Sequence, residues 1–193
     1  MPSHARQRWL SDRLAALDEI EDAHQAVGGV GRGRRFATQQ INQAYAVLLS
    51  SQFQGFCRDL HAEAVDHLVV HLAPAPLRSV VVREQLTVGL KLRHGNPNPG
   101  NLGADFGRLG LDLWPALEAT SQRAATRKQK LQALNTWRNA IAHQDMNPAK
   151  LGGRTDLRLA DVRTWRSACN GLTSTFDAVV RAHLITLVAT APW

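Results

Sequence analysis

TQQINQAYAVLLSSQFQGFCRDLHAEAVDHLVVHL, residues 38–72, decides the fold class. Ile41, Ala44, Tyr45, Leu48, Phe53, Phe56, Leu60, Ala64, Leu68 and Leu72 fall close to a 3.6-residue period, which is the mark of one long amphipathic helix. Thr38 suits an N-cap, and the APAP run at 73–76 stops the helix, because proline lacks an N–H and clashes with the preceding turn. Gly55 costs about 1 kcal/mol relative to Ala in a helix interior. It therefore marks the close approach of another helix, or a bend.

Outward from this segment the same period recurs. Trp9, Leu10, Leu14, Leu17 and Ile20 predict a first helix over about 6–27. It ends where four glycines in six residues (Gly28, Gly29, Gly31, Gly33) break any helix. Arg32, Arg34 and Arg35 make this a basic loop, either an RNA-contacting loop or a solvated connector. Beyond the proline stop a third helix is expected from Leu77 to about Arg93. HGNPNPGNLG, residues 94–103, reads as a loop with Pro and Gly punctuation, and the pieces around 105–110 and 113–117 read as single helical turns. Leu131, Leu134, Trp137 and Ile141 mark a helix over about 126–143. Val162, Trp165, Cys169, Leu172, Phe176, Val179, Val180, Leu184 and Leu187 mark a last one over 159–188. No stretch alternates with period two, and there is no repeat. The expectation is one all-α domain over 1–193, a bundle of about five main helices with the second and last as the core pair.

Composition sets limits on function. The chain has 193 residues, 44% hydrophobic and 20% charged, which excludes a disordered or collagen-like chain and suits one domain with a sizeable core. Two cysteines, Cys57 and Cys169, are too few for a disulfide scaffold and lack zinc-site spacing. Both lie on apolar faces and are expected in the core. The first 24 residues carry charges throughout and no apolar h-region, so no secretory signal is read. The apolar stretch Leu184–Pro192 is far short of the roughly 20 residues that span a bilayer. A soluble, cytoplasmic protein without a membrane partner is expected. Formal net charge is +7, and 19 of the 23 basic residues are Arg. The planar guanidinium fork matches phosphate oxygens, so this balance fits a nucleic-acid partner and fits equally a bias in the gene's base composition.

The stretch with chemical content is RNAIAH, residues 138–143, followed by Gln144 and Asp145. At about 100° per residue, Asn135, Asn139 and His143 share one stripe, opposite Leu131, Leu134, Trp137 and Ile141, with Arg138 between. Arg138 and His143 are roughly 140° apart around the axis. They share a site only if the helix end frays or a second chain brings its own copies. Arg123, Arg127, Lys128 and Lys130 form a basic run leading into this helix, suited to an RNA backbone or to a solvated face. Glu63, His67 and His71 share a stripe on the second helix that could ligate a metal, but no motif completes the set, so a solvated polar stripe is expected and no metal or cofactor is assigned. Trp9, Trp137 and Trp165 are expected in the core, and Trp114 and Trp193 exposed.

An Arg, a few residues, then a His near the end of a helix in an all-α chain resembles the HEPN superfamily of prokaryotic defence and toxin ribonucleases, and the wording RNAIAH is similar to that family's motif. Residues 45–60 and 98–110 resemble its RiboL-PSP subgroup, so the likeness covers nearly the whole chain. The resemblance implies a metal-independent endoribonuclease, a toxin or phage-defence effector. It implies a homodimer in which Arg138 and His143 of both chains meet across a two-fold axis, with Asn139 orienting the phosphate or His143. RNA would then be cleaved by attack of the 2′-OH on its own phosphate. Imidazole serves either proton role near neutral pH, and a guanidinium binds the phosphorane oxygens. RNA contacts would come from Arg32, Arg34, Arg35, Arg127, Lys128 and Lys130. An antitoxin or regulatory protein is a further expected partner. Some HEPN toxins carry His-x-Tyr, with the Tyr modified by a partner enzyme. Asp145 stands at that place here, suited to pairing with His143 or Arg138. The other reading of the same residues is a catalytically inactive HEPN module that binds RNA or a partner protein. A plainer reading of the two residues themselves is that Arg138 makes a surface salt bridge and His143 complements the helix dipole.

Overall fold

The structure is a computed structural model. It describes residues 1–28, 35–72 and 75–193; the side chains of residues 28, 35–37 and 76–78 are not described. Arg32 and Arg34 lie outside the described residues, and so does the side chain of Arg35. Among the described residues the regular structure is all helical. Helix α1 opens as His4–Arg8, widens into a π-helical turn at Trp9–Arg13 and continues as Leu14–Gly28. It is followed by α2 (Arg35–Leu72), α3 (Pro76–Thr87), α4 (Pro99–Gly107), α5 (Leu113–Thr120), α6 (Ala124–His143) and α7 (Leu159–Val188). No helix among them is long and apolar enough to cross a membrane.

Among the described residues seven helices stand where about five were expected. The two additions come from the stretch read as loop and single turns. Asn98 caps α4 by accepting the Asn101 N–H at 2.8 Å, with Pro99 in the first turn, where its missing N–H costs nothing. Leu102 and Phe106 of α4, and Leu113, Trp114 and Leu117 of α5, are buried, so tertiary packing secures helices too short to hold alone. The third helix is shorter than expected. Val88 turns extended and Gly89 takes φ +70, leaving only a 3₁₀ turn at Lys91–Arg93.

Side-chain pairings give the helix directions. Tyr45 meets Arg166, Phe53 meets Phe176 and His67 meets Thr190, so α2 and α7 run parallel. Ser3 meets Asp177, Trp9 meets Asn170 and Arg163 meets Glu21, so α1 runs antiparallel to α7. Arg127 meets Gly171 while Trp137 meets Trp165, so α6 is also antiparallel to α7. These four helices enclose an aromatic centre. Phe176 touches Phe53, Phe106 and Trp114 with centroids about 6 Å apart, edge to face, the favoured geometry of aromatic pairs. Trp114 is therefore buried, not exposed as expected; its indole N–H donates to the Pro99 carbonyl at 2.8 Å. Trp193 is half-buried against the same core. Cys57 and Cys169 are fully buried, and burial pushes both thiols up.

Gly55 marks a close approach. A Cβ there would sit 2.3 Å from the Arg13 guanidinium, which crosses from α1 to Gln52 at 2.9 Å and Asp59 at 2.8 Å. Glu63 accepts the N–H groups of His4 and Ala5 at 3.0 and 2.6 Å, so it holds the start of α1 and takes no part in a polar stripe with His67 and His71. Phe176→Ala removes the ring shared by three aromatic neighbours, and the fully buried site should lose about 3–5 kcal/mol of unfolding free energy by urea denaturation; a loss under about 1 kcal/mol would show that Phe176 is not central to the core.

Candidate functional site

Helix α6 is oriented by its buried face. Leu131, Leu134, Trp137 and Ala140 are buried, and Trp137 lies 6.4 Å from Trp165 of α7 between ring centroids. That contact sets the rotation of the helix. Arg138 is half-exposed on the flank, while Asn139 and His143 face solvent. The helix stops at His143 because Gln144 adopts the left-handed conformation (φ 54), with Gln144 N–H on Ile141 O at 3.2 Å and Asp145 N–H on Ala140 O at 2.9 Å. This termination leaves the imidazole on the last residue of the helix.

Beside His143 lies an open groove of about 310 Å³, lined by Thr136, Asn139, Ala140, His143, Asp145 and Lys150. Arg138 does not line it. Asn139 connects the two: its side-chain oxygen accepts Arg138 Nη1 at 3.4 Å and also a short bond from Asn96 Nδ2. Within one chain, therefore, Asn139 and His143 share a groove, and Arg138 reaches it only through Asn139. Among the described residues neither Arg138 nor His143 forms an ion pair, so the surface salt bridge that one reading gave Arg138 is absent there. Asp145 does not pair with either residue. It pairs with Lys150 at 2.6 Å, because the turn at Pro148–Lys150 returns Lys150 over the helix end.

Asn135 does not belong to an outward stripe. It is 1% exposed, and its amide donates to the Pro97 carbonyl at 3.2 Å and to Leu131 O at 2.9 Å. With Gln54, which donates to Leu92 O at 2.7 Å and Gly95 O at 2.9 Å, and Asn101, which donates to Asn96 O at 2.8 Å, it fastens the 94–98 loop. That loop carries Asn96 to Asn139. Asn96, Thr136 and Lys150 were missed in the sequence. Only Asn96 had a signal, the asparagines at 96–101, and these read as turn chemistry.

The basic run divides. Arg127 is laid across α7, donating to Gly171 O at 3.2 Å, and a Cβ at Gly171 would sit 2.3 Å from its guanidinium. Lys128 lies 4.9 Å from the Trp114 ring centre and 3.8 Å from Glu118, which turns it away from α7. Arg123, Arg127 and Lys130 instead share a groove of about 360 Å³ with Gln122, Thr126 and Ser167, and no carboxylate lines it. The helical step puts Arg127 and Arg138 within about 20° of each other around α6 and about 16 Å apart along it.

No family model, curated protein or solved structure matches the chain.

Asn135→Ala strips the Pro97 carbonyl of its donor inside the protein. It should cost roughly 1–3 kcal/mol in thermal unfolding and speed amide hydrogen exchange across residues 94–98 more than along α7; equal exchange in both regions would show that the loop does not depend on this amide.

Proposed function

We propose that the chain is a metal-independent endoribonuclease of the HEPN type, working as a homodimer and serving as a toxin or phage-defence effector. One observation carries the reading: α6 presents a guanidinium without an ion pair and an exposed imidazole at the lip of an open groove, on faces its own core does not use. Two-fold pairing of this helix end brings Arg138 of each chain toward His143 of the other, which resolves the 140° divergence within one chain.

The chemistry follows from the residue types. His143 takes the proton of the ribose 2′-OH. The 2′-oxygen attacks the adjacent phosphorus, and the P–O5′ bond breaks as the P–O2′ bond forms. Water gives a proton to the leaving 5′-oxygen, so one Arg138 and one His143 from opposite chains complete a site. The products are a 2′,3′-cyclic phosphate and a 5′-hydroxyl. Arg138 holds the equatorial oxygens of the phosphorane with two parallel N–H bonds. Asn139 sets the position of Arg138 through its side-chain oxygen. The groove of Arg123, Arg127 and Lys130 takes a neighbouring stretch of RNA backbone on the face shared with Arg138. A second reading, a catalytically silent module that binds RNA or a regulatory protein, draws on that carboxylate-free groove being separate from His143.

Incubation of RNA with the protein in EDTA separates the readings. Wild type should cleave, and Arg138→Ala and His143→Ala should each lose about 100-fold or more in rate, the usual worth of an acid–base group or a phosphorane-binding donor. Cleavage that persists in both variants would refute the site assignment, and binding of RNA without cleavage by wild type would favour the silent module.

A further inference from the structure

A second cleft lies away from the groove beside His143. It has a volume of about 190 Å³ and sits between the middle of α2 and the turn that follows α3, with Arg58, His61, Thr87, Leu90 and Arg93 among its walls. Its two carboxylates are already engaged. Asp59 holds Arg8 at 3.0 Å and Arg13 at 2.8 Å. Asp105, 1% exposed, accepts the backbone N–H groups of Lys91 and Leu92, both at 2.8 Å. Its two guanidiniums are not engaged. Arg58 and Arg93 are exposed at the cleft, and their side chains make no hydrogen bond or ion pair among the described residues. His61, 2% exposed, has Nε2 at 3.1 Å from the Asp105 carbonyl. A carbonyl only accepts, so Nε2 carries the hydrogen and the ring orientation is fixed. Burial lowers the pKa of this imidazole, so the wall it forms is polar and uncharged near neutral pH.

The cleft thus offers two guanidiniums without partners, over a floor with two leucines in which the Asp59 charge is held by Arg8 and Arg13 and the Asp105 charge by two backbone donors. Its volume is below the about 300–1,000 Å³ of pockets that enclose drug-sized molecules, so it suits a compact group. A single carboxylate would be matched by one guanidinium. A phosphate monoester carries about −1.5 to −2 charge at neutral pH and offers three acceptor oxygens, which suits two arginine forks. We infer that this cleft is a binding site for a phosphate monoester dianion, held by Arg58 and Arg93 against the His61 wall. The site is distinct from the groove beside His143 and does not depend on the ribonuclease reading.

The test is calorimetric titration of the full chain at constant ionic strength with inorganic phosphate, adenosine 5′-monophosphate and acetate. It is run in an Arg123→Gln, Lys130→Gln, Arg138→Ala background, so that the two phosphate-binding surfaces proposed above do not contribute. Phosphate and the nucleotide should bind saturably and acetate should not. Tighter binding of the nucleotide assigns the ester as the ligand, and equal binding assigns free phosphate. Arg58→Gln and Arg93→Gln should each weaken binding at least about ten-fold, the worth of a hydrogen bond to a charged group. Both side chains are exposed, so the fold should persist, which circular dichroism checks. Absence of saturable phosphate binding, equal binding of acetate, or phosphate affinity unchanged in both arginine variants would overturn the inference.

Discussion

The angular step of α6 is the constraint on which the candidate site rests. Once Leu131, Leu134, Trp137 and Ala140 are buried against α7 and the core, every other residue of that helix has its direction assigned. Arg138 must emerge on the flank, and Asn139 and His143 must face solvent. The helical step separates Arg138 and His143 by about 140° around the axis and about 7.5 Å along it. A single copy therefore presents Arg138 and His143 on different faces of α6. The Trp137–Trp165 contact fixes this rotation, so the geometry of the proposed chemistry is set inside the core.

Around that helix, neutral amides do the positioning. Gln54, Asn101 and Asn135 hold the 94–98 loop by its carbonyls, and Asn96 then engages Asn139. Glycines provide seats for two structural arginines, Gly55 for Arg13 and Gly171 for Arg127. Asp18 and Glu21 of α1 are occupied by Arg166 and Arg163 of α7, and Asp59 of α2 by Arg8 and Arg13 of α1. In that network, burial and the Glu21 acceptor push Tyr45 up to about 12. The consequence is that Arg58, Arg93, Arg123 and Arg138 remain without carboxylate partners among the described residues, on a chain of net charge +7.

Long periodic segments were legible in the sequence. The last helix was read at its observed bounds, and α2 and α6 within three residues at their starts, because each carries apolar residues at helical spacing over many turns. The helices at 99–107 and 113–120 were not legible. Gly100, Gly103, Gly107 and Pro115 weaken local propensity, and what secures these segments is the burial of Phe106 and Trp114 against Phe176, a contact between residues far apart in the chain. For the site, the positions of Arg138, Asn139 and His143 followed from the helical step alone. Asn135 was misplaced because an amide on a polar stripe looks the same in sequence whether it meets water or the Pro97 carbonyl. Asp145 was misassigned because the turn that returns Lys150 over the helix end leaves no periodic signal. The cleft of Arg58 and Arg93 joins α2 to a turn some 30 residues later, and no spacing rule connects them.

The central claim is that a guanidinium from one subunit and an imidazole from another act on one phosphodiester. Its most direct test is a mixed dimer, purified with two different tags, in which one subunit carries Arg138→Ala and the other His143→Ala. Such a dimer keeps one intact Arg–His pair across the two-fold axis, and RNA cleavage should recover well above that of either parent homodimer. A mixed dimer as inactive as both parents, beside a wild-type protein that cleaves as a monomer, would contradict the account.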